Sequence, residues 1–186
     1  LYRPFDLRWL YWTDDGYLDR PRPEYIANVS GDNPWLTACQ RTRKETFYKP
    51  AVTSQLADHH VFESNTALFP LYLREEAMAG SIFDAAPAGT KADLSAEARK
   101  YLSTMGAARE IALFSHIIAT LHTPKYRAEN AGALRQDWPR IPLPRDYAAL
   151  DWSVVLGWEL RSLLDPEVEV PTGTVSGYRV NFKDVG

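Results

Sequence analysis

Ile117-Ile118-Ala119-Thr120-Leu121-His122-Thr123-Pro124-Lys125-Tyr126-Arg127, followed by Asp137-Trp138-Pro139-Arg140-Ile141-Pro142-Leu143-Pro144, is the stretch that decides how the chain is read. The first peptide ends an apolar helix running over 107–122, in which Ile111, Phe114, Ile118 and Leu121 recur at helical spacing on one face. Pro124 stops it, because proline disfavours helical geometry at the preceding residue. A short polar helix carrying Tyr126 and Arg127 follows. The second peptide is a proline-stiffened strip. It reads either as a polyproline segment offered to a partner or as a strip packed on its own domain through Trp138, Ile141 and Leu143, and its place between helices favours the latter. Asp146 to Leu164 is the next helix, with Leu150, Val154, Trp158 and Leu160 inward and Pro166 beyond its end.

Upstream the period changes. Ser95 caps a helix reaching Thr104. Before it, Leu7 to Thr13, Trp35 to Gln40, Thr46 to Thr53 and Ala67 to Leu73 are strand candidates, rich in aromatic and β-branched residues. Asp14-Asp15-Gly16 followed by Tyr17-Leu18 turns the first into a hairpin, and Pro23 to Val29 fits a short helix. Pro50 and Pro70 mark edges or bulges, since proline donates nothing to a ladder. Gly80 to Ala92 reads as a surface loop, and Val168 with Thr174 to Phe182 as a final strand or hairpin. Strands first and helices after give an α+β class: an N-terminal mixed or antiparallel β-sheet followed by a helical portion, in a single domain. Its parts are a β-rich region 1–79, a loop 80–93, a helical region 94–165 and a terminal strand region 168–183.

At 186 residues the chain has enough length for one sizeable core. No apolar run approaches the roughly 20 residues a membrane span needs, no signal-peptide pattern opens the sequence, and a cytoplasmic location is expected. The one cysteine, Cys39, lies in an apolar stretch and reads as a small buried residue. The net charge of −3, from 21 Lys and Arg against 24 Asp and Glu, argues against bulk electrostatic coating of nucleic acid. The distribution is uneven, however. Arg41, Arg43, Lys44 and Lys49 crowd one run, and Lys125, Arg127, Arg135, Arg140 and Arg145 another, while acids gather at Asp14-Asp15, Glu75-Glu76 and Asp165 to Glu169. One face of local positive charge fits that pattern.

No catalytic constellation stands out. The Asp/Asn/Ser-Pro-Pro-Tyr/Phe signature of amino-methyltransferases is absent, as are a Gly-rich loop after a strand and the phosphate-cradling Gly-x-x-x-x-Gly-Lys-Ser/Thr. Asp58-His59-His60 is the nearest approach to a metal cluster, but adjacent histidines on an extended segment point to opposite faces. His122 reads as a C-terminal cap complementing its helix dipole; His116 is ambiguous. Most of the six tryptophans and ten tyrosines read as core, with base-stacking platforms as the alternative.

The two peptides quoted first, a Leu-His-Thr-Pro-x-Tyr-Arg helix end and a Trp-Pro-Arg-Ile-Pro-Leu-Pro strip, resemble the C-terminal specificity region of single-polypeptide restriction–modification enzymes, the type ISP enzymes and their helicase–methylase relatives. Tyr2-Arg3-Pro4-Phe5-Asp6-Leu7-Arg8, Asn33 to Arg43, and Ala57-Asp58-His59-His60 with Phe69-Pro70-Leu71-Tyr72-Leu73 resemble other segments of that region in the same order. The resemblance runs from Tyr2 to about Leu163. It departs at the ends: further strands are expected after Leu156-Gly157-Trp158-Glu159-Leu160, whereas this chain stops at Gly186. It opens at Leu1 and is read as a piece of a longer polypeptide.

The resemblance implies a target-recognition domain that binds double-stranded DNA beside a methyltransferase domain of the same polypeptide. S-adenosylmethionine, ATP and Mg are then expected in other domains of the parent, and no cofactor in this segment. Arginine suits guanine, asparagine and glutamine suit adenine, and lysine or arginine holds phosphates. The loop-borne candidates for DNA contact are Arg20, Arg22, Arg41, Arg43, Lys44, Lys49, Gln55 and Asn65. Arg3, Asp6 and Arg8 read instead as a structural ion pair. Two alternatives stand beside this reading: a module that braces a larger DNA-processing enzyme without reading sequence, and an independent small enzyme, for which no polar pair presents itself.

Overall fold

Trp35 to Cys39 forms the centre of the molecule as strand β1, and all five of its residues are buried. The structure, a computed structural model, describes residues 1–13, 26–29, 31–43, 47–62, 65–74, 89–106 and 109–168. β1 pairs antiparallel with β2 (Ala51–Thr53) on one side and β3 (Thr66–Pro70) on the other, giving the order β2-β1-β3. The register places Trp35 opposite Thr53 and Pro70, Thr37 opposite Ala51 and Leu68, and Cys39 opposite Thr66. The strands next to Pro50 and Pro70 are therefore both edges, where a missing N–H leaves no gap in a ladder. At the start of β2, Thr37 Oγ1 lies 3.1 Å from both Ala51 N and Ala51 O, so a buried hydroxyl serves both backbone groups.

The stretch expected as one strand from Ala67 to Leu73 is two. Leu71 breaks it, donating to Pro34 O at 2.9 Å, and β4 (Tyr72–Arg74) turns to pair with β5 (Thr90–Ala92). β5 lies within the span read as loop. It is three residues long and largely exposed, so it has no buried face to imprint a hydrophobic alternation on the sequence. Leu7 to Thr13 is not a strand: it joins no ladder among the described residues, and residues 7–11 are exposed, Trp9 entirely so. The rest of the expected hairpin, the terminal strand region beyond Val168, and all of 75–88 lie outside the described residues. Arg8 and Asp6 do pair, at 2.9 Å, but on the surface.

The helices follow the expected order. Ser95 Oγ accepts from Ala98 N and opens α1 (Ala96–Thr104). α2 (Glu110–His122) ends before Pro124, which takes the first turn of α3 (Pro124–Glu129). α4 (Ala131–Leu134) is a single turn, and α5 (Tyr147–Leu164) is capped by Asp146. Phe114, Ile118 and Leu121 of α2 meet Leu36 and Val52 from the strands and Leu71 between β3 and β4 in one buried cluster, with Tyr126, Ile141 and Leu160 packed at its margin. Sheet and helices thus share a core. Leu150 of α5 is fully buried, whereas Trp158, expected inward, is 55% exposed. Gly157 takes the inward place, where it touches the backbone of Ser115 on α2.

The strip between α4 and α5 docks on its own domain along its length. Trp138 packs edge-on against Phe69 with centroids 5.4 Å apart, and Tyr126 donates to Arg140 O at 2.8 Å. His116 Nε2 donates to Pro142 O at 2.9 Å, and Tyr101 donates to Pro144 O at 3.0 Å. Proline stiffening lowers the entropy lost in laying the strip down, and the tethers supply partners for carbonyls that have no ladder.

Candidate nucleic-acid interface

Antiparallel pairing has a geometric consequence for the basic residues. The Cys39 end of β1 is also where β2 and β3 begin. Arg41 and Arg43 follow β1, Lys49 precedes β2 and Asn65 precedes β3, so four of the candidates gather at one end of the sheet. Hydrogen bonds tie this end together. Asn65 Nδ2 donates to Arg41 O at 3.3 Å, and Thr42 N donates to Arg135 O at 3.3 Å. Gln40 Nε2 reaches Asp137 Oδ1 at 3.2 Å, and His122 Nε2 donates to Pro50 O at 2.9 Å. The last bond brings the α2–α3 junction, and with it Arg127, against the loop that carries Lys49. Arg135 and Arg140 arrive with the docked strip.

The side chains of Arg41, Arg43 and Lys49 are exposed. Asp137 stands among these cations. Its carboxyl is held below the usual range first by the Trp138 backbone N–H, then by Gln40, with smaller contributions from Arg140 and Arg41. It therefore stays ionised and fixes the register of strip against strand. His122 is shifted the other way: burial lowers its pKa, the bond to Pro50 opposes that, and Lys49 and Arg127 lower it further. A ring so placed is a neutral donor, so the reading of His122 as a charged complement to the helix dipole is corrected. Tyr48 and Phe62 stack at 5.7 Å beside this end and stiffen the approach to Lys49.

Gln55 lies at the opposite end of the sheet, beyond Thr53, where its amide donates to both oxygens of Glu167 at 3.1 and 3.0 Å. Arg20, Arg22 and Lys44 lie outside the described residues. Arg127, Arg135 and Arg140 join the basic end although sequence reasoning left them out of the candidate set. They belong to the second basic run, but nothing in its spacing announces that the strip crosses to the sheet. Among the described residues no three His, Cys, Asp or Glu side chains converge to hold a metal. His59 and His60 are exposed, with rings edge-on at 5.0 Å, and His60 Nδ1 is 3.3 Å from Asp58. No described helix is long and apolar enough to cross a membrane.

Solved structures of the same fold include three complexes with DNA or a DNA substrate mimic. The type ISP enzyme LlaBIII bound to DNA matches over 92% of this chain at 18% identity with a TM-score of 0.71. DrdV in its DNA complex matches over 89% at 25% identity and 0.69. A nuclease-deletion mutant of the type ISP enzyme LlaGI, in complex with a DNA substrate mimic, matches over 88% at 20% identity and 0.57. The chain spans only 11%, 15% and 13% of those chains. No curated protein matches it. The family model of the type ISP C-terminal specificity domain matches residues 1–176, nearly the whole sequence, and with the strip, the sheet and the helical layer in place the chain belongs to that family.

Proposed function

We propose that the chain is a DNA sequence-recognition domain of a restriction–modification enzyme, which grips duplex DNA so that other domains methylate adenine and cleave at the chosen site. The observation that carries this reading is the convergence of Arg41, Arg43, Lys49, Arg127, Arg135 and Arg140 on one end of the sheet in a chain whose net charge is −3. Charge spread at random needs no explanation; cations gathered by strand ends and a docked strip match a polyanion. Lysine and arginine at the margins hold phosphates, while Arg41, Arg43 and Asn65 at the strand ends are placed to meet base edges. DNA binding by LlaBIII, DrdV and LlaGI supports the same reading. A methyltransferase domain on the same polypeptide would supply the opposite jaw and take the flipped base.

The test is fluorescence anisotropy with the full-length enzyme on cognate and scrambled duplexes across a salt series. Replacing Arg41, Arg43, Lys44 and Lys49 together by Ala should weaken binding and flatten its salt dependence. Unchanged affinity and selectivity would remove the basic end from the interface, and selectivity that survives deletion of the whole domain would refute the reading.

A second reading, a bracing module, is favoured by the outer face of α5. There Trp152, Leu156 and Leu163 are 79%, 58% and 55% exposed, large apolar side chains along one stripe of the helix of the kind that meets other protein. It predicts that Trp152→Ser disturbs the parent enzyme while leaving DNA selectivity intact.

A further inference from the structure

Lys49 and Arg127 belong to segments far apart in sequence that one hydrogen bond, from His122 Nε2 to Pro50 O, holds together, and both cations lie near enough to that ring to act on it. Each side of that bond is fixed. Pro50 is buried at the head of β2, and Thr123 Oγ1 donates to Ala119 O at 2.8 Å where α2 gives way to α3. Arg127 is half-buried on α3, with its Nε shielded from solvent and without a hydrogen-bond partner. The nearest acid on the same helix, Glu129, pairs with Lys125 at 3.9 Å instead. Among the described residues no carboxylate lies within ion-pair distance of Lys49 or Arg127.

Both cations act on His122, one from an exposed position and the other half-buried, and no carboxylate among the described residues pairs with either. His122 is engaged with Pro50 O and supplies no charge of its own. An anion from outside is the complementary partner for this arrangement. Resting on the DNA-binding reading above, we propose that Lys49 and Arg127 form a clamp for a single backbone phosphodiester of the bound nucleic acid. Its function is to set the register of the basic end on the duplex without reading a base. A phosphate fits better than a base edge, because Arg127 is half-buried on a short helix packed at the margin of the core and is not carried on a free loop.

The test uses the full-length enzyme that carries this domain, with Lys49→Gln, Arg127→Gln and Arg127→Lys. Anisotropy is measured on cognate and scrambled duplexes across a salt series. Each Gln variant should flatten the slope of log K against log salt by about 0.9, the value for one phosphate contact on duplex DNA. Each should weaken both duplexes by the same factor, leaving their ratio unchanged, and Arg127→Lys should keep most of the slope. An unchanged slope in both Gln variants overturns the clamp, and so does a changed cognate-to-scrambled ratio, which would make the contact a base contact. A lowered thermal midpoint in Arg127→Gln with the slope intact overturns it as well, by assigning the guanidinium to a carboxylate elsewhere in the polypeptide. Lys49 is exposed, so its variant reports on the slope even if Arg127→Gln folds poorly. Wild-type selectivity that survived deletion of the domain would instead sink the DNA-recognition reading itself.

Discussion

His122 shows how one side chain links the core to the surface. Its ring is more than half buried at the end of α2, and burial, then Lys49 and Arg127, depress its pKa below the ordinary 6.5 against the opposing bond to Pro50. The depressed value sets the sign. Above 6.5 the ring is neutral in both folded and unfolded chains, and its contribution is fully present. Below 6.5 the unfolded chain takes up a proton that the folded chain resists, so the unfolded state binds more protons and stability falls as pH falls toward the folded value. The His122 contribution to the melting temperature is expected to decline as pH falls below about 6.5, ahead of most carboxylate titration. His122→Gln keeps an N–H donor for Pro50 O and should show a shallower decline in that window. An equal decline in wild type and variant, measured by thermal melts across pH, would assign the effect to another group.

At the scale of elements, the crossing of α2 and α5 rests on Gly157. A Cβ there would press into the carbonyl of Ser115 and lie 2.9 Å from its Cα, so Gly157→Ala must push the helices apart. Overpacking of this kind costs about 1–3 kcal/mol, and chemical denaturation should register it. Ser115→Gly should not rescue the variant, since the obstacle is backbone; a rescue would show the contact to be side-chain mediated. The same residue marks a limit of sequence reading. α2 was legible because Ile111, Phe114, Ile118 and Leu121 recur at helical spacing, but a glycine carries no hydrophobic signal. Trp158, the large residue beside it, was therefore placed inside although it stacks under Arg161 at 5.1 Å on the surface. The prolines told correctly where β2 and β3 stand in the sheet. They did not tell that Leu71 ends one ladder and starts another, because that depends on Pro34 accepting from its N–H.

Across the whole molecule the candidate site was legible only as two basic runs. Their union depends on strand register and on the docked strip, neither of which leaves a local pattern; Gln55, close to Lys49 in sequence, is carried to the far end by the length of β2. The union also requires that sheet and helices keep their relative positions, and the core is built to enforce this. Leu36, Val52 and Leu71 from the sheet region share one buried cluster with Phe114, Ile118 and Leu121 from α2, so neither layer retains this core alone. Sheet and α2 should therefore open as one cooperative unit. Val52 is fully buried on an edge strand and makes the sharpest probe. Val52→Ala removes packing worth on the order of 2 kcal/mol, and that loss should appear equally in the amide-exchange protection of Leu36 and Ala38 on β1 and of Ile118 and Ala119 on α2. Protection lost from β1 while α2 kept its own would mean two units that merely touch, and the basic end would then be set by the tethers of His122 and Asp137 rather than by the core.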